Sequence, residues 1–253
     1  MDRPKIVSRE EWLAARKELL AREKQFDRER DDLSARRRAL PMVEITEPYV
    51  FDGPNGTTTL VDLFDGRHQL IVYHFMLDPD WEAGCTGCSL LADNIGHLAH
   101  LNAARTSFAA ISRAPFANIA KFRERMGWTF PWFSSHGTTF NYDFHVTMDE
   151  SVTPVLFNFR TKEELREAGI GSWALSGEQH GLSVFLREGD RVFHTYSTYS
   201  RGTDLLNGTF NYLDLTPFGR QEEAGIMNWV RHHDDYKDHD GRRGDDGCGH
   251  CDT

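Results

Sequence analysis

Two cysteines separated by two residues, Cys85 and Cys88, are the residues of this sequence best suited to chemistry. They follow an apolar, strand-like run over residues 70–77 and open a helix-like stretch from Ser89. A thiol at the beginning of a helix lies beside unpaired backbone N–H groups and the positive end of the helix dipole, which favour the thiolate. The short separation also lets the second sulfur reach the first. The pattern therefore predicts thiol–disulfide redox chemistry.

The order of the two cysteines assigns their roles. Cys85 lies nearer the helix terminus, where the backbone dipoles act most strongly, so we expect it to be the nucleophile that attacks a substrate disulfide. Cys88 is expected to be more buried in the first helical turn and to resolve the mixed disulfide. The predicted partner is a disulfide-containing protein or a small thiol, and no cofactor is predicted.

Three further residues are supporting candidates. Trp81 would form an apolar wall beside the sulfurs, or it would belong to the core. Asp80 would disfavour the thiolate if its carboxylate pointed at the sulfur, which argues against a very strong oxidant. Arg113, at the end of a later strand, would favour a thiolate if it faced the cleft, and it would otherwise be a surface arginine. The sequence leaves these alternatives open.

A metal site is the main alternative. Cys248 and Cys251 form a second C-x-x-C pair with His250 between them, so the two pairs together amount to the donors of a tetrahedral zinc site. The pairs lie much farther apart than the roughly 15–20 residues of a local zinc ribbon. We therefore predict no metal at Cys85 and keep zinc as the alternative for the C-terminal donors. A thioredoxin-like binding protein with inert cysteines is the third hypothesis.

Composition bounds the class of protein. With 253 residues, 39% of them hydrophobic, the chain can build one good-sized core, and four cysteines in two close pairs suit a reducing compartment. The chain begins with charged residues and its apolar runs are too short to span a bilayer, so we expect a cytoplasmic protein without a membrane partner. The formal net charge is −10 and the acidic excess lies beyond the first forty residues, which argues against a nucleic-acid partner.

The pattern of the first forty residues predicts one long helix. Ser8 and Glu11 form a capping-box pattern, and Pro41 stops the helix. One large apolar residue recurs in every heptad, at Trp12, Leu19, Phe26, Leu33 and Leu40. Such a stripe packs either across the body of its own chain or against a twin helix in a homodimer, and the sequence does not decide between them.

The rest of the chain alternates between strand and helix patterns. Helical spacing over 89–105, a strand over 108–112, a helix over 116–126 and a hairpin over 182–195 follow the first strand. The alternation predicts an α/β fold, a thioredoxin-like central mixed sheet flanked by helices, with Cys85 at the carboxyl end of a strand. The predicted division is a helical extension over 1–41, a thioredoxin-like domain over 42–222, and a C-terminal helix remnant with a flexible tail over 223–253.

Short motifs distributed over the chain form a recognisable combination. They are Phe51-Asp52-Gly53-Pro54-Asn55-Gly56, Asp78-Pro79-Asp80-Trp81, Gly84-Cys85-x-x-Cys88-Ser89, Ser112-Arg113-Ala114-Pro115 and His194-Thr195-Tyr196-Ser197-Thr198-Tyr199. In this combination the chain resembles a bacterial thioredoxin-superfamily group of unknown function, whose members are often labelled predicted dithiol–disulfide oxidoreductases or isomerases. The resemblance implies a thioredoxin-like fold and suggests dithiol–disulfide exchange.

Two departures limit what the resemblance implies. Gly181 falls where the thioredoxin fold places a cis-proline before the strand that faces the active site, so the loop that aligns a substrate must be built differently. The loop before Cys85 is similar to that of peroxiredoxins, yet Glu82 stands where those proteins carry a threonine. Reduction of peroxide is therefore a further alternative, although this sequence lacks the threonine hydroxyl that peroxiredoxins have at the position of Glu82.

Overall fold

The computed structural model describes residues 3–236 of the chain. Its α-helices are α1 (Arg9–Arg38), α2 (Thr86–Asp93), α3 (Ala99–Ala103), α4 (Phe116–Arg125), α5 (Phe140–Asp143), α6 (Lys162–Glu167) and α7 (Gly208–Leu213). Its strands are β1 (Val43–Ile45), β2 (Val50–Gly53), β3 (Gly56–Thr59), β4 (Gln69–His74), β5 (Thr106–Ser112), β6 (Trp132–Ser134), β7 (Thr147–Met148), β8 (Leu156–Phe157), β9 (Arg160–Thr161), β10 (Gly177–Glu178), β11 (Gly181–Glu188) and β12 (Arg191–Tyr199).

An eight-stranded mixed sheet forms the centre of the described residues, in the order β1-β12-β11-β4-β5-β6-β2-β3. Strands β4, β5 and β6 are parallel, and Gln69 of β4 lies opposite Thr106 of β5. Strand β11 pairs antiparallel with β4, and β12 pairs antiparallel with β11. This combination of a strand–helix–strand unit with a hairpin confirms the predicted fold class, a thioredoxin-like sheet flanked by helices.

Residues along β4 alternate between two cores, because successive side chains of a strand point to opposite faces of the sheet. Tyr73 and, just beyond the strand, Phe75 pack with Cys88 of α2 on one face. Leu70 and Val72 lie in the core on the other face. Leu70, Val72, Tyr73 and Phe75 each expose at most 1% of their surface. Burial on both faces explains why this strand reads as a nearly continuous apolar run.

The predicted helix over 89–105 is wrong in its length, because the chain forms α2 and α3 with a break between them. Asn94 follows the last residue of α2. Its side-chain amide donates to the carbonyl oxygen of Leu90 (2.6 Å), and its Oδ1 accepts from the backbone N–H of Thr209 in α7 (2.9 Å). Side-chain bonds to the backbone compete with helix continuation. Asn94 therefore ends α2 and connects this end to α7.

The N-terminal helix has the predicted capping box. The Ser8 hydroxyl accepts from the backbone N–H of Glu11, and the Glu11 carboxylate accepts from the N–H of Ser8. No residue of α1 is buried. The heptad stripe is exposed along its length, from 46% at Trp12 to 61% at Phe26. The stripe does not pack on the body of its own chain, and the homodimer stays a prediction.

Residues 223–236, here called the C-terminal segment, lie against the body. Val230 is 1% exposed and packs with Phe210 of α7. Arg125 of α4 donates two hydrogen bonds to the carboxylate of Asp234 (2.7 and 2.9 Å). The predicted division of the chain into three parts stays a prediction, and residues 237–253, the last part of the predicted helix remnant and tail over 223–253, lie outside the described residues. Within residues 3–236, no helix is both long and apolar enough to cross a membrane.

Replacing Asn94 with alanine is expected to lower the free energy of unfolding by about 1–3 kcal/mol, because the N–H of Thr209 loses its acceptor. Chemical denaturation followed by circular dichroism measures the change. Asn102→Ala is the matched control, since the Asn102 side chain takes no part in these bonds. Equal stability of the two variants would contradict the proposed role of Asn94.

Candidate active site at Cys85 and Cys88

Backbone hydrogen bonds hold Cys85 between the end of β4 and the beginning of α2. Its N–H donates to the carbonyl oxygen of Met76 (3.1 Å). Its carbonyl oxygen accepts from the N–H and from the hydroxyl of Ser89 (2.9 Å each). Cys85 is thereby the residue that precedes the first turn of α2, at the junction that the sequence pattern indicates.

The surroundings of Cys85 favour its thiolate. The Cys88 thiol donates a hydrogen bond to the Cys85 sulfur, and the backbone N–H groups of Cys88 and Gly87 donate two more. Together these bonds lower the pKa of Cys85 from 9.0 to about 7, although burial opposes ionisation. The first turn of a helix supplies such donors because its N–H groups have no partner within the helix.

Cys88 differs from Cys85 in its protonation. It is 2% exposed. Burial raises its pKa well above 9.0, and the hydrogen bond to Cys85 and the charge of that residue add to the rise. The Tyr73 hydroxyl and the backbone N–H of Met76 oppose this rise in part. At neutral pH the pair therefore combines a partly ionised outer thiol with a protonated inner one.

Sequence reasoning missed Tyr73. Its hydroxyl is buried on the cysteine side of β4 without a well-formed hydrogen bond, and burial, with a contribution from Cys88, raises its pKa. His74 instead lies on the opposite face, where its Nε2 is 2.8 Å from the Ser183 hydroxyl and burial lowers its pKa to about 3. The alternation of side chains along β4 is the signal that distinguishes these two neighbours, once the face that carries Cys88 is known.

The chain enters the site through Gly84. A Cβ at this position would lie 2.3 Å from Cε1 of Phe75, so the packing admits only glycine. The carbonyl oxygen of Gly84 lies 2.8 Å from Nε2 of His232 in the C-terminal segment. The His232 ring also packs edge-on against Phe122, with 5.3 Å between the ring centroids. The C-terminal segment is thus bonded to the residue that immediately precedes Cys85.

A cavity of about 620 Å³ lies beside the two cysteines. Its wall includes Tyr73, Cys85, Cys88, His180, Phe210 and Met227. Met227 belongs to the C-terminal segment and reaches the thiols: a Cβ added to Gly87 would lie 3.2 Å from Cε of Met227 and 3.7 Å from Sγ of Cys85. Sequence reasoning missed His180, Phe210 and Met227, because nothing in the local sequence marks these residues as neighbours of a cysteine so far away along the chain.

The three supporting candidates lie outside this cavity. Trp81 is half-buried against the core beneath α2, and Asp80 is exposed. Arg113 binds the carboxylates of Asp78 (2.5 Å) and Glu178 (2.7 Å). The Glu178 side chain is 1% exposed. The structure therefore gives Arg113 a buried carboxylate as its partner, and not a thiolate.

Cys85 and Cys88 are both free thiols. Among residues 3–236, no three histidine, cysteine or acidic side chains are grouped so that they could hold a metal ion. Cys248, His250 and Cys251 lie outside the described residues. The zinc alternative at these donors stays a prediction.

The fold and the site together define a class of protein. A mixed sheet with a parallel strand–helix–strand unit and an antiparallel hairpin carries two free thiols at the first turn of the helix that follows its middle strand. This is a thioredoxin-like protein with a C-x-x-C pair.

The chain belongs to the family described as bacterial protein of unknown function (DUF899), whose model matches residues 1–236. The group that the sequence motifs indicate is thereby confirmed. No curated protein sequence matches the chain significantly.

Several solved structures are similar to this chain. A mutant of PrxQ from Xylella fastidiosa is 13% identical, with 68% of this chain and 95% of that chain covered and a TM-score of 0.42. Peroxidoxin BcpB from Mycobacterium tuberculosis is 16% identical, with 69% and 97% covered and a TM-score of 0.41. A mutant of peroxiredoxin Q from Xanthomonas campestris is 14% identical, with 68% and 98% covered and a TM-score of 0.40. Likeness of this extent leaves the activity to be argued from the site itself.

The rate at which iodoacetamide alkylates Cys85 is expected to rise with pH to a plateau, with a midpoint near the pKa of about 7, because only the thiolate reacts. In Cys88→Ala the midpoint should move up by about 1–2 pH units, because the strongest of the bonds that lower the pKa is lost. Cys88→Ser keeps a donor and should move it less. Mass spectrometry in a Cys248→Ser, Cys251→Ser background measures the rates, and a wild-type midpoint near 9.0 would contradict the assignment.

Replacing Arg113 with methionine is expected to lower the free energy of unfolding by roughly 3 kcal/mol, because the Glu178 carboxylate stays buried without its cation. The loss should shrink as the pH falls, since a protonated Glu178 needs no cation. The double variant Arg113→Met, Glu178→Gln should recover much of the loss, and denaturant titrations measure all three proteins. An alkylation midpoint that shifts upward in Arg113→Met would instead assign the guanidinium to the thiolate.

Proposed function

We propose that this protein is a thiol–disulfide oxidoreductase in which Cys85 is the nucleophile and Cys88 the resolving thiol. The observation that carries the proposal is the inequality of the two thiols. Cys85 faces a cavity and has a pKa of about 7, while Cys88 is buried behind it with a raised pKa. A nucleophile near half ionisation at neutral pH attacks disulfides most effectively, because a still lower pKa would weaken its nucleophilicity.

The reaction has two exchanges. The Cys85 thiolate attacks one sulfur of the substrate disulfide, forms a mixed disulfide and releases the other sulfur as a thiolate. Cys88 then loses its proton and attacks the Cys85 sulfur, which forms the Cys85–Cys88 disulfide and releases the second substrate thiolate. The substrate gains two electrons and the cysteine pair loses two. An external dithiol, or another thiol reductant, must reduce the pair again.

The same contacts explain why Cys88 becomes reactive only at the second step. Two of the causes that raise its pKa, the hydrogen bond to Cys85 and the negative charge of that sulfur, disappear once Cys85 is bound in a mixed disulfide. The Tyr73 hydroxyl and the N–H of Met76, which lower the pKa of Cys88, stay in place. Formation of the mixed disulfide therefore favours ionisation of the thiol that must resolve it.

Turnover of a disulfide by the reduced protein is expected to fall to the uncatalysed background in Cys85→Ser, because the nucleophile is gone. Cys88→Ser should instead accumulate a mixed disulfide at Cys85, visible as a mass increase that a reductant removes. Both variants are made in the Cys248→Ser, Cys251→Ser background, which removes the C-terminal thiols from the measurement.

Three results would oppose this function. Undiminished turnover in Cys85→Ser would exclude the nucleophile, and zinc bound in stoichiometric amount and lost on mutation of either cysteine pair would favour the metal alternative. A protein that shows neither turnover nor metal, and keeps its stability with all four cysteines replaced by serine, would be the binding protein with inert cysteines.

A further inference from the structure

The cavity beside Cys85 has the size of a small-molecule site. Its volume of about 620 Å³ falls within the roughly 300–1,000 Å³ that such sites occupy. Cys85 is only partly exposed, and the C-terminal segment covers the first turn of α2, where Met227 lies over Gly87. A disulfide within a folded protein brings several backbone segments with it and needs an open surface. The covered thiol favours a substrate that enters the cavity whole.

The wall of the cavity around the thiols is apolar. Phe210 and Val230 are almost completely buried, with 4% and 1% of their surfaces exposed, and both line the cavity with Leu91. Met227 completes this wall next to Cys85. A thioether is flexible and polarisable, so it adapts to ligands of different outline and packs well on aromatic rings. The site is therefore built to receive an apolar group bonded to the reacting sulfur.

The charged groups of the wall are already paired. Arg220 binds the two carboxylate oxygens of Asp214 (2.9 and 2.8 Å) and contacts Asp204 (3.2 Å). Arg201, whose side chain is 83% exposed, also contacts Asp204 (3.3 Å). Both guanidinium groups already contact carboxylates, so an anionic ligand would have to compete with Asp204 and Asp214 for them.

The other ionisable groups of the wall do not favour an anion either. Glu222 accepts a hydrogen bond from the backbone N–H of Met227 (2.7 Å), and it brings the carboxylates among the cavity residues to three against two guanidinium groups. His180 is half-buried, and burial lowers its pKa, so its ring is neutral at neutral pH. The wall therefore carries a small negative excess.

We infer that the substrate of this site is a small disulfide without negative charge and with an aromatic or alkyl body, which binds in the cavity with one half against Met227 and Phe210 and its sulfur at Cys85. The inference rests on the proposed function and names its substrate class. The exchange is the one described above: the disulfide is cleaved to two thiols while Cys85 and Cys88 become a disulfide. Protein disulfides are disfavoured because the C-terminal segment covers the thiol. Anionic disulfides such as oxidised glutathione are disfavoured because the arginines of the wall already contact carboxylates.

The test compares three probes on the fully reduced, full-length protein: dipyridyl disulfide, oxidised glutathione and insulin. Acid quenching and thiol trapping measure how fast the Cys85 thiol is lost, and each rate is divided by the rate of the same protein unfolded in urea. The pKa of Cys85 affects the rate with every probe in the same direction, so the ratio between the probes reports the effect of the cavity. The enhancement for dipyridyl disulfide is expected to exceed the other two by about tenfold or more.

Two cavity variants and one control sharpen the comparison. Met227→Ala removes the apolar wall next to the thiol, and Ile226→Trp narrows the cavity from a side chain that is 81% exposed and so tolerates the change. Each should lower the rate with dipyridyl disulfide by a factor of up to about ten. The pH midpoint of Cys85 alkylation by iodoacetamide should stay where it is, because its causes are contacts with Cys88 and Gly87. Met42→Ala, at a residue that is 44% exposed and outside the cavity, is the matched methionine control and should behave as wild type.

The outcomes separate the inference from the function beneath it. Equal enhancement for insulin or oxidised glutathione, or wild-type rates in both cavity variants, would overturn the substrate class and leave the oxidoreductase intact. Failure of Cys85 to react with any of the three disulfides, with its alkylation midpoint still near neutral pH, would overturn the proposed function and the inference with it.

Discussion

The site depends on the way in which the backbone holds Cys85. Because the N–H of Cys85 binds Met76 and its carbonyl oxygen accepts from Ser89, the sulfur stays at the first turn of α2. The N–H groups of Gly87 and Cys88 then donate to that sulfur, because the N–H groups of the first helical turn have no partner within the helix. One thiol of the pair ionises near neutral pH, and its buried neighbour stays protonated. Dithiol exchange needs this difference, since one sulfur must attack first and the other must wait.

The C-terminal segment turns this reactive helix end into an enclosed site. His232 binds the carbonyl oxygen of Gly84, Val230 is buried against α2 and α7, and Arg125 anchors Asp234. These contacts place the segment over the thiols, so that a cavity takes the place of an open surface. Access to the thiols is therefore limited by residues outside the C-x-x-C pair.

Arginine side chains near the site serve packing and not the thiolate. Arg113 compensates the buried carboxylate of Glu178, and Arg220 is held by Asp214. The Glu178 carboxylate is buried and would be costly without a cation, which explains why the Arg113–Glu178 pair forms. The electrostatic support of Cys85 comes instead from short-range donors, the N–H groups and the neighbouring thiol. Stabilisation of the Cys85 thiolate therefore comes from α2 itself and does not depend on distant charges.

Local signals in the sequence determined the elements and the position of the thiols. The capping box at Ser8, the apolar run of β4, the β11–β12 hairpin and the C-x-x-C junction each depend on residues a few positions apart, and the structure has all of them. The length of the helix after Cys85 was predicted wrongly, because Asn94 bonds to a residue 115 positions away.

Tertiary structure alone decided what surrounds the thiols. The face on which Tyr73 meets Cys88, the carboxylate that occupies Arg113 and the closure of the cavity by the C-terminal segment all join distant parts of the chain, as the bond between Gly84 and His232 does across 148 positions. Local spacing carries no information about such contacts, because they form only when the free energy of the whole packed chain selects which surfaces meet.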